Sequence, residues 1–134
     1  MKGKLKKVGM MLAVSTFVLG GVCLVNADSQ AENAFGELAK GSTYSFTKVY
    51  SYPKHQGAVK PTKEPANNLS VTWSYGRRSG NNYPSVHSEV LGSLVQNQTK
   101  WAQGYRGGTG DARNSFTANN ATFYGNIQTL NATD

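Results

Sequence analysis

Asn68-Leu-Ser-Val-Thr-Trp-Ser-Tyr-Gly76 is the stretch that decides the fold. Leu69, Val71, Trp73 and Tyr75 fall on alternate residues, with Ser70, Thr72 and Ser74 between them. Side chains of a strand switch faces at every residue, so the pattern predicts a half-buried β-strand, apolar on one face and hydroxyl-bearing on the other. Burying each large side chain of the apolar face contributes about 1.5–3 kcal/mol. Gly76-Arg-Arg-Ser-Gly80-Asn-Asn82 then supplies the turn that ends the strand.

Outward from this strand the same short-period pattern recurs. A strand is expected through Val90, Leu91, Leu94 and Val95, with a bulge at Gly92. Thr99, Trp101, Gln103 and Tyr105 alternate again, and Gly104, Gly107, Gly108 and Gly110 make a flexible loop holding Arg106 and Asp111. Ala112 to Thr117 and Ala121 to Leu130 read as the last two strands, joined at Asn119-Asn120. Upstream, Tyr44, Phe46, Tyr50 and Tyr52 share one face of a strand over residues 42–52. Pro53, Pro61 and Pro65, with Lys54, Lys60, Lys63 and Gly57, mark residues 53–67 as a loop or linker rather than a central strand. Before it, Ser29 and Glu32 can form a capping box, and Ala31, Ala34, Phe35, Leu38 and Ala39 keep helical spacing up to Gly41. A short helix there competes with an unstructured leader or a trimmed propeptide.

The first 27 residues stand apart. Lys2, Lys4, Lys6 and Lys7 precede an apolar run from Val8 to Val25, and Val25-Asn-Ala27 places small residues before a cut. This pattern predicts a secretory signal helix cleaved after Ala27, and hence a secreted, extracellular protein. Ser15, Thr16, Gly20 and Gly21 dilute the run as a membrane anchor, and Gly20-Gly21-Val22 before Cys23 is a poor lipoprotein signal. The formal charge of +7 belongs partly to this leader. Without its four lysines, ten Lys and Arg stand against seven Asp and Glu, a net of +3. That charge permits attraction to anionic surfaces but gives little support to nucleic-acid binding. Cys23 is the single cysteine, so no disulfide is available after cleavage. The expected architecture is all-β, a small antiparallel β-sandwich over residues 68–134, preceded by residues 28–67 as an accessory segment and linker.

The catalytic inventory is thin. His55 and His87 stand apart, no mature cysteine can act as nucleophile, and neither a Gly-x-Ser-x-Gly elbow nor a His-Glu-x-x-His helix occurs. Two separated histidines do not make a zinc site, no cofactor motif occurs, and Glu89 and Asp111 become an acid–base pair only if the fold joins them. The expectation is a non-enzyme without metal or cofactor. Binding chemistry is better represented: Arg77, Arg78, Lys100, Arg106 and Arg113 sit at turns among Tyr75, Tyr83, Trp101 and Tyr105. Guanidinium groups hold phosphate or pyrophosphate with paired hydrogen bonds, while ring faces meet sugar or lipid. Arg77, Arg78, Tyr83, Trp101 and Arg106 are the candidate binding residues.

Four pieces carry a family likeness: Thr72-Trp-Ser-Tyr-Gly76, Asn82-Tyr83, Leu94-Val-Gln-Asn97 and Asn119-Asn-Ala-Thr-Phe-Tyr-Gly-Asn126. In this order and spacing, residues 69–127 resemble the lactococcin 972 family of secreted bacteriocins. The resemblance implies a β-sandwich of two antiparallel sheets that self-associates, with a homodimer as one expectation. It also implies antimicrobial binding of the cell-wall precursor lipid II, with blocked septum formation in related Gram-positive bacteria. Trp73, Tyr75, Tyr83 and Tyr124 match the family by position, and Trp73, Tyr75, Gly76, Phe123 and Tyr124 are the family-matching residues expected to form its core. Residues 28–68 have no counterpart in its short members. The rival expectation is a non-toxic structural or adhesive protein of the producer's own envelope.

Overall fold

The computed structural model describes residues 29–133, together with the backbone of β1 (Lys6–Lys7), β2 (Val18–Leu19) and β3 (Val22–Cys23). Apart from these three short strands, residues 1–27, over which the signal helix is expected, lie outside the described residues. β7 (Ser70–Arg77) is the predicted strand: Val71, Trp73 and Tyr75 are fully buried, while Ser70, Thr72 and Ser74 face outward. It is one of four strands in an antiparallel sheet ordered β5 (Thr43–Tyr50), β11 (Gly110–Asn119), β7 and β8 (Ser85–Leu91). The facing sheet is ordered β1, β4 (Ser29–Leu38), β12 (Phe123–Ala132), β6 (Lys54–Pro61) and β10 (Tyr105–Arg106), with β9 (Lys100–Trp101) also pairing β6. Every pairing is antiparallel. Between the sheets lie Phe46, Tyr50, Val59, Val71, Trp73, Tyr75, Phe116, Phe123 and Ile127. The protein is therefore an all-β sandwich, as the alternating stretches predict.

Three stretches differ from the sequence reading. Ser29–Leu38 is a ten-residue strand in register with all of β12, not a helix. Its small residues fit either period, and the ladder to β12 decides in favour of the strand. Residues 54–61 are also a strand, sandwiched between β12 and the short β9 and β10. The prolines do not forbid this, because Pro53 precedes the strand and Pro61 ends it, where a missing N–H donor costs no interior hydrogen bond. Gly57, which reads as linker, lets the strand approach the core: a Cβ there would overlap the Trp73 ring. Residues 29–61 thus place three strands within the two sheets, where an accessory segment had been expected. Finally, β8 stops at Leu91, and the chain then turns through Ser93 and Asn97, both with positive φ.

The core crosses the sandwich as a hydrogen-bonded chain as well as by apolar contact. Trp73 Nε1 donates to Asn114 Oδ1 at 2.8 Å, Asn114 Nδ2 donates to the Tyr50 hydroxyl at 2.9 Å, and Tyr50 donates to Glu32 Oε1 at 2.9 Å. Thr129 adds a longer bond to the same Glu32 oxygen. Burial first, and the Glu32 carboxylate second, push the Tyr50 phenol well above its ordinary range. Of the residues expected in the core, Trp73, Tyr75 and Phe123 are there. Gly76 is buried too, with the Tyr83 carbonyl oxygen 2.6 Å from where a Cβ would stand. Tyr124 is not: it lies half-buried on the outer face, edge-on to Phe35, with the Lys63 ammonium 4.2 Å above its ring.

Candidate functional site

Arg77 ends β7, and its guanidinium turns toward the glycine-rich loop after β10. Nη1 donates to the Gly107 carbonyl at 2.6 Å and Nη2 to the Thr109 carbonyl at 3.0 Å, with a longer bond from Nη1 to the Tyr75 hydroxyl. This arginine pins the loop, and those donors are not offered to a ligand. Arg78 points the other way. Its Nη1 meets Asp111 Oδ2 at 3.0 Å, its Nε donates to the Gly80 carbonyl, and the side chain remains 54% exposed. The Tyr83 hydroxyl donates to the second Asp111 oxygen at 3.0 Å, and the Arg113 guanidinium sits 4.4 Å over the Tyr83 ring. Partial burial and the Asp111 contact raise the Tyr83 pKa. Arg78 and Tyr83 therefore hold a single carboxylate at one end of the sheet, while Arg113 lies over the Tyr83 ring and donates from Nε to the Thr47 hydroxyl.

A second group forms where β10 meets β6. Arg106 lies directly opposite Lys54, and Tyr105 opposite His55. Lys54, Gln103, Gly104, Tyr105 and Arg106 line an open depression of about 370 Å³. Residues directly opposite on antiparallel strands share a face, and like charges in that position repel. Among the described residues no carboxylate pairs with Lys54 or Arg106; Arg106 makes only a long bond from Nη1 to the Thr133 carbonyl. Tyr105 stacks on His87 at 4.7 Å between centroids and is tilted against Tyr75 at 5.7 Å. The far wall is held by Glu89: Oε1 accepts the Gln103 N–H at 2.7 Å, and Oε2 accepts the Gly104 N–H at 3.1 Å and contacts His87 Nε2 at 2.8 Å. Burial alone would raise the Glu89 pKa, but the hydrogen bonds from His87 and the two backbone N–H groups outweigh it and hold the carboxyl below its ordinary value.

The two histidines occupy different environments. His55 is fully buried, stacked on Tyr75 at 4.1 Å and edge-on to Tyr50. With Nε2 donating to the Gly108 carbonyl at 2.8 Å, Nδ1 is left to accept from Asn131 Nδ2 at 3.4 Å, which fits a neutral ring. Burial, and then the nearby Arg77 charge, lower its pKa against the opposing effect of the Gly108 bond. His87 has a carboxylate partner, yet among the described residues neither histidine contacts a serine or threonine hydroxyl in a nucleophilic arrangement. Glu89 and Asp111 have different partners and do not form the acid–base pair that the sequence allowed. Among the described residues no three His, Cys, Asp or Glu side chains converge on a metal position.

Of the five candidate binding residues, the fold places Arg78 and Tyr83 together, turns Arg77 to a structural task and gives Arg106 to the depression. Trp101 joins neither group: β9 holds it opposite Ala58, half-buried against Leu130 and Ala132. Lys54 and Gln103 were missed, and Tyr105 was noted only as an aromatic neighbour of the turn arginines. Lys54 sits in a stretch that reads as linker, so nothing in the sequence places it opposite Arg106. The alternation of His87 and Glu89, two residues apart on one strand face, was the legible signal for their pairing.

No protein-family model matches the sequence, and no curated protein matches it significantly. Among solved structures the chain is similar to one described as a crystal structure of PirA, at 12% identity over 76% of this chain and 92% of that one, with a TM-score of 0.46. It is also similar to RmlC from Streptococcus suis, solved with dTDP-D-xylose, at 12% identity and a TM-score of 0.32. That match covers 78% of this chain but 44% of the other. Both likenesses are too loose to carry an argument about function, and neither links the chain to the lactococcin 972 family.

Proposed function

We propose that the protein is a secreted, non-enzymatic β-sandwich that binds an anionic component of the bacterial cell envelope, with lipid II as the leading candidate. On this reading it acts as a bacteriocin, blocking septum formation and wall synthesis in related Gram-positive cells. One observation supports the binding reading most: Lys54 and Arg106 face each other across β6 and β10, beside the Tyr105 ring, with no described carboxylate between them. A pyrophosphate there would relieve the repulsion between the two cations and accept hydrogen bonds from both, while Tyr105 and Gln103 would meet an attached sugar. The leader over residues 1–27 supports export. Lysine and arginine reach this depression from two neighbouring strands, so binding should weaken with salt.

The test is binding to bilayers with and without lipid II. Saturable binding that requires lipid II, and that falls at least tenfold in Lys54→Gln/Arg106→Gln, is expected. Equal binding to both bilayers by a folded protein removes lipid II as the target. Retention in the producer's wall, with no toxicity toward related strains, would instead favour a structural or adhesive role. The exposed edge of β8 is the feature that speaks for that second reading.

A further inference from the structure

Among the described residues β8 is the last strand of its sheet, hydrogen-bonded to β7 on one side and to no other strand on the opposite side. Among the described residues, no backbone–backbone hydrogen bond other than those to β7 reaches residues 85–91. Natural edges are guarded by lysine, proline or a covering loop, because an open row of N–H and C=O groups recruits another strand. Residues 85–91 contain no lysine, arginine or proline. They also carry two of the exposed large apolar side chains, Val86 at 48% and Val90 at 66%.

The order of residues along this edge is self-complementary. Val86-His87-Ser88-Glu89-Val90 has valine at both ends and serine at the centre, with His87 and Glu89 at equal distances on either side of it. We propose that β8 pairs antiparallel with β8 of a second copy about a two-fold axis at Ser88, joining the two four-stranded sheets into one. In that register Val86 lies opposite Val90 of the second copy, His87 opposite its Glu89, and Ser88 opposite its Ser88. A two-fold interface must present the same patch from both sides, and this five-residue pattern does so. The valines stand on the outer face, where they cover one another. The histidine and carboxylate stand on the inner face, where each His–Glu pair gains a second partner of opposite character. The other edge of the sheet, β5, exposes Val49 but carries Lys48 and has no such symmetry. Because Glu89 also holds the Gln103–Gly104 backbone, the axis passes close to both cationic depressions. The interface is independent of what those depressions bind.

Sedimentation equilibrium on protein expressed from the full chain tests the proposal. The wild type should move from monomer to twice the monomer mass with rising concentration. Val86→Lys/Val90→Lys places lysine opposite lysine twice and should remain a monomer, with its dimer dissociation constant raised at least tenfold. Val86→Glu/Val90→Glu should do the same, and an equimolar mixture of the two variants should recover the dimer. In a Cys23→Ala background, Ser88→Cys should give a disulfide-linked dimer on mild oxidation, while Ser79→Cys on the exposed turn should not. A wild type that stays monomeric, a lysine variant that dimerises like the wild type, or equal cross-linking from both cysteines would each overturn the proposal.

Discussion

Replacing Asn114 with alanine should destabilise the protein far more than the size of the change suggests. Asn114 is 1% exposed and ties β7 to β5 across its own strand β11, accepting from the Trp73 indole and donating to Tyr50, whose bond to Glu32 reaches the facing sheet. Alanine leaves the Trp73 N–H buried without its acceptor, which costs about 1–3 kcal/mol. The Tyr50 oxygen loses one donor but keeps its own bond to Glu32, a smaller loss of about 0.5–1.5 kcal/mol. Together these give about 1.5–4.5 kcal/mol, a large share of the roughly 5–15 kcal/mol by which a domain is stable. With a urea slope of about 1–3 kcal/mol/M, the midpoint should fall by about 1–2 M. Trp101→Phe leaves Trp73 as the sole indole, so its fluorescence reports the transition directly. Asn114→Leu separates the causes, since it restores volume but no hydrogen bond and should remain about as unstable as the alanine variant. An Asn114→Leu protein as stable as the wild type would refute the argument, because packing rather than hydrogen bonding would then carry the site.

Three further outcomes follow from the same contacts. Gly57→Ala should cost about 1–3 kcal/mol through overpacking against the Trp73 ring, seen as a lower thermal midpoint; a neutral effect would mean that the ring can shift. His55 has a lowered folded pKa, so the unfolded chain holds the proton more tightly, and its contribution is complete above the unfolded value of 6.5 and lost as pH falls below it. Denaturation midpoints should therefore begin to drop below pH 6.5, before a second loss below 4.5 as Glu89 protonates, and a flat profile from pH 7 to 5 would contradict the buried neutral ring. Residues 68–134 expressed alone lack β4, β5 and β6, and should show no cooperative unfolding by circular dichroism; a sharp transition would show that these strands are dispensable.

The sandwich was legible in the sequence where one face of a strand is buried and the other is wet. β7, β11 and β12 meet that condition, and their alternation marks them. β6 does not declare itself, because Gly57 and the bracketing prolines look like linker until Trp73 is seen lying over the glycine. β4 is ambiguous for another reason: Ala31, Ala34, Gly36 and Leu38 are small enough to suit either period, and only the distant β12 resolves it. The site was harder still. Arg77 carries the chemistry of a ligand-binding residue, but its acceptors are carbonyls some thirty residues away. Lys54 became interesting only through its register with Arg106. Local pattern reports burial; it does not report which turn meets which strand.

The pairing of β4 with β12 bears on when the chain can fold. The first long strand is laid against the last one along ten residues, and β6 closes the other side of that last strand. Neither partner in this sheet can be completed until Phe123–Ala132 has been made. Closing such distant pairings makes folding slow relative to proteins rich in local contacts. Until that segment exists, β4 and β6 lack the strand that lies between them. The sheet closes as one unit around Phe123–Ala132, so its two outer long strands gain their ladders together rather than in turn.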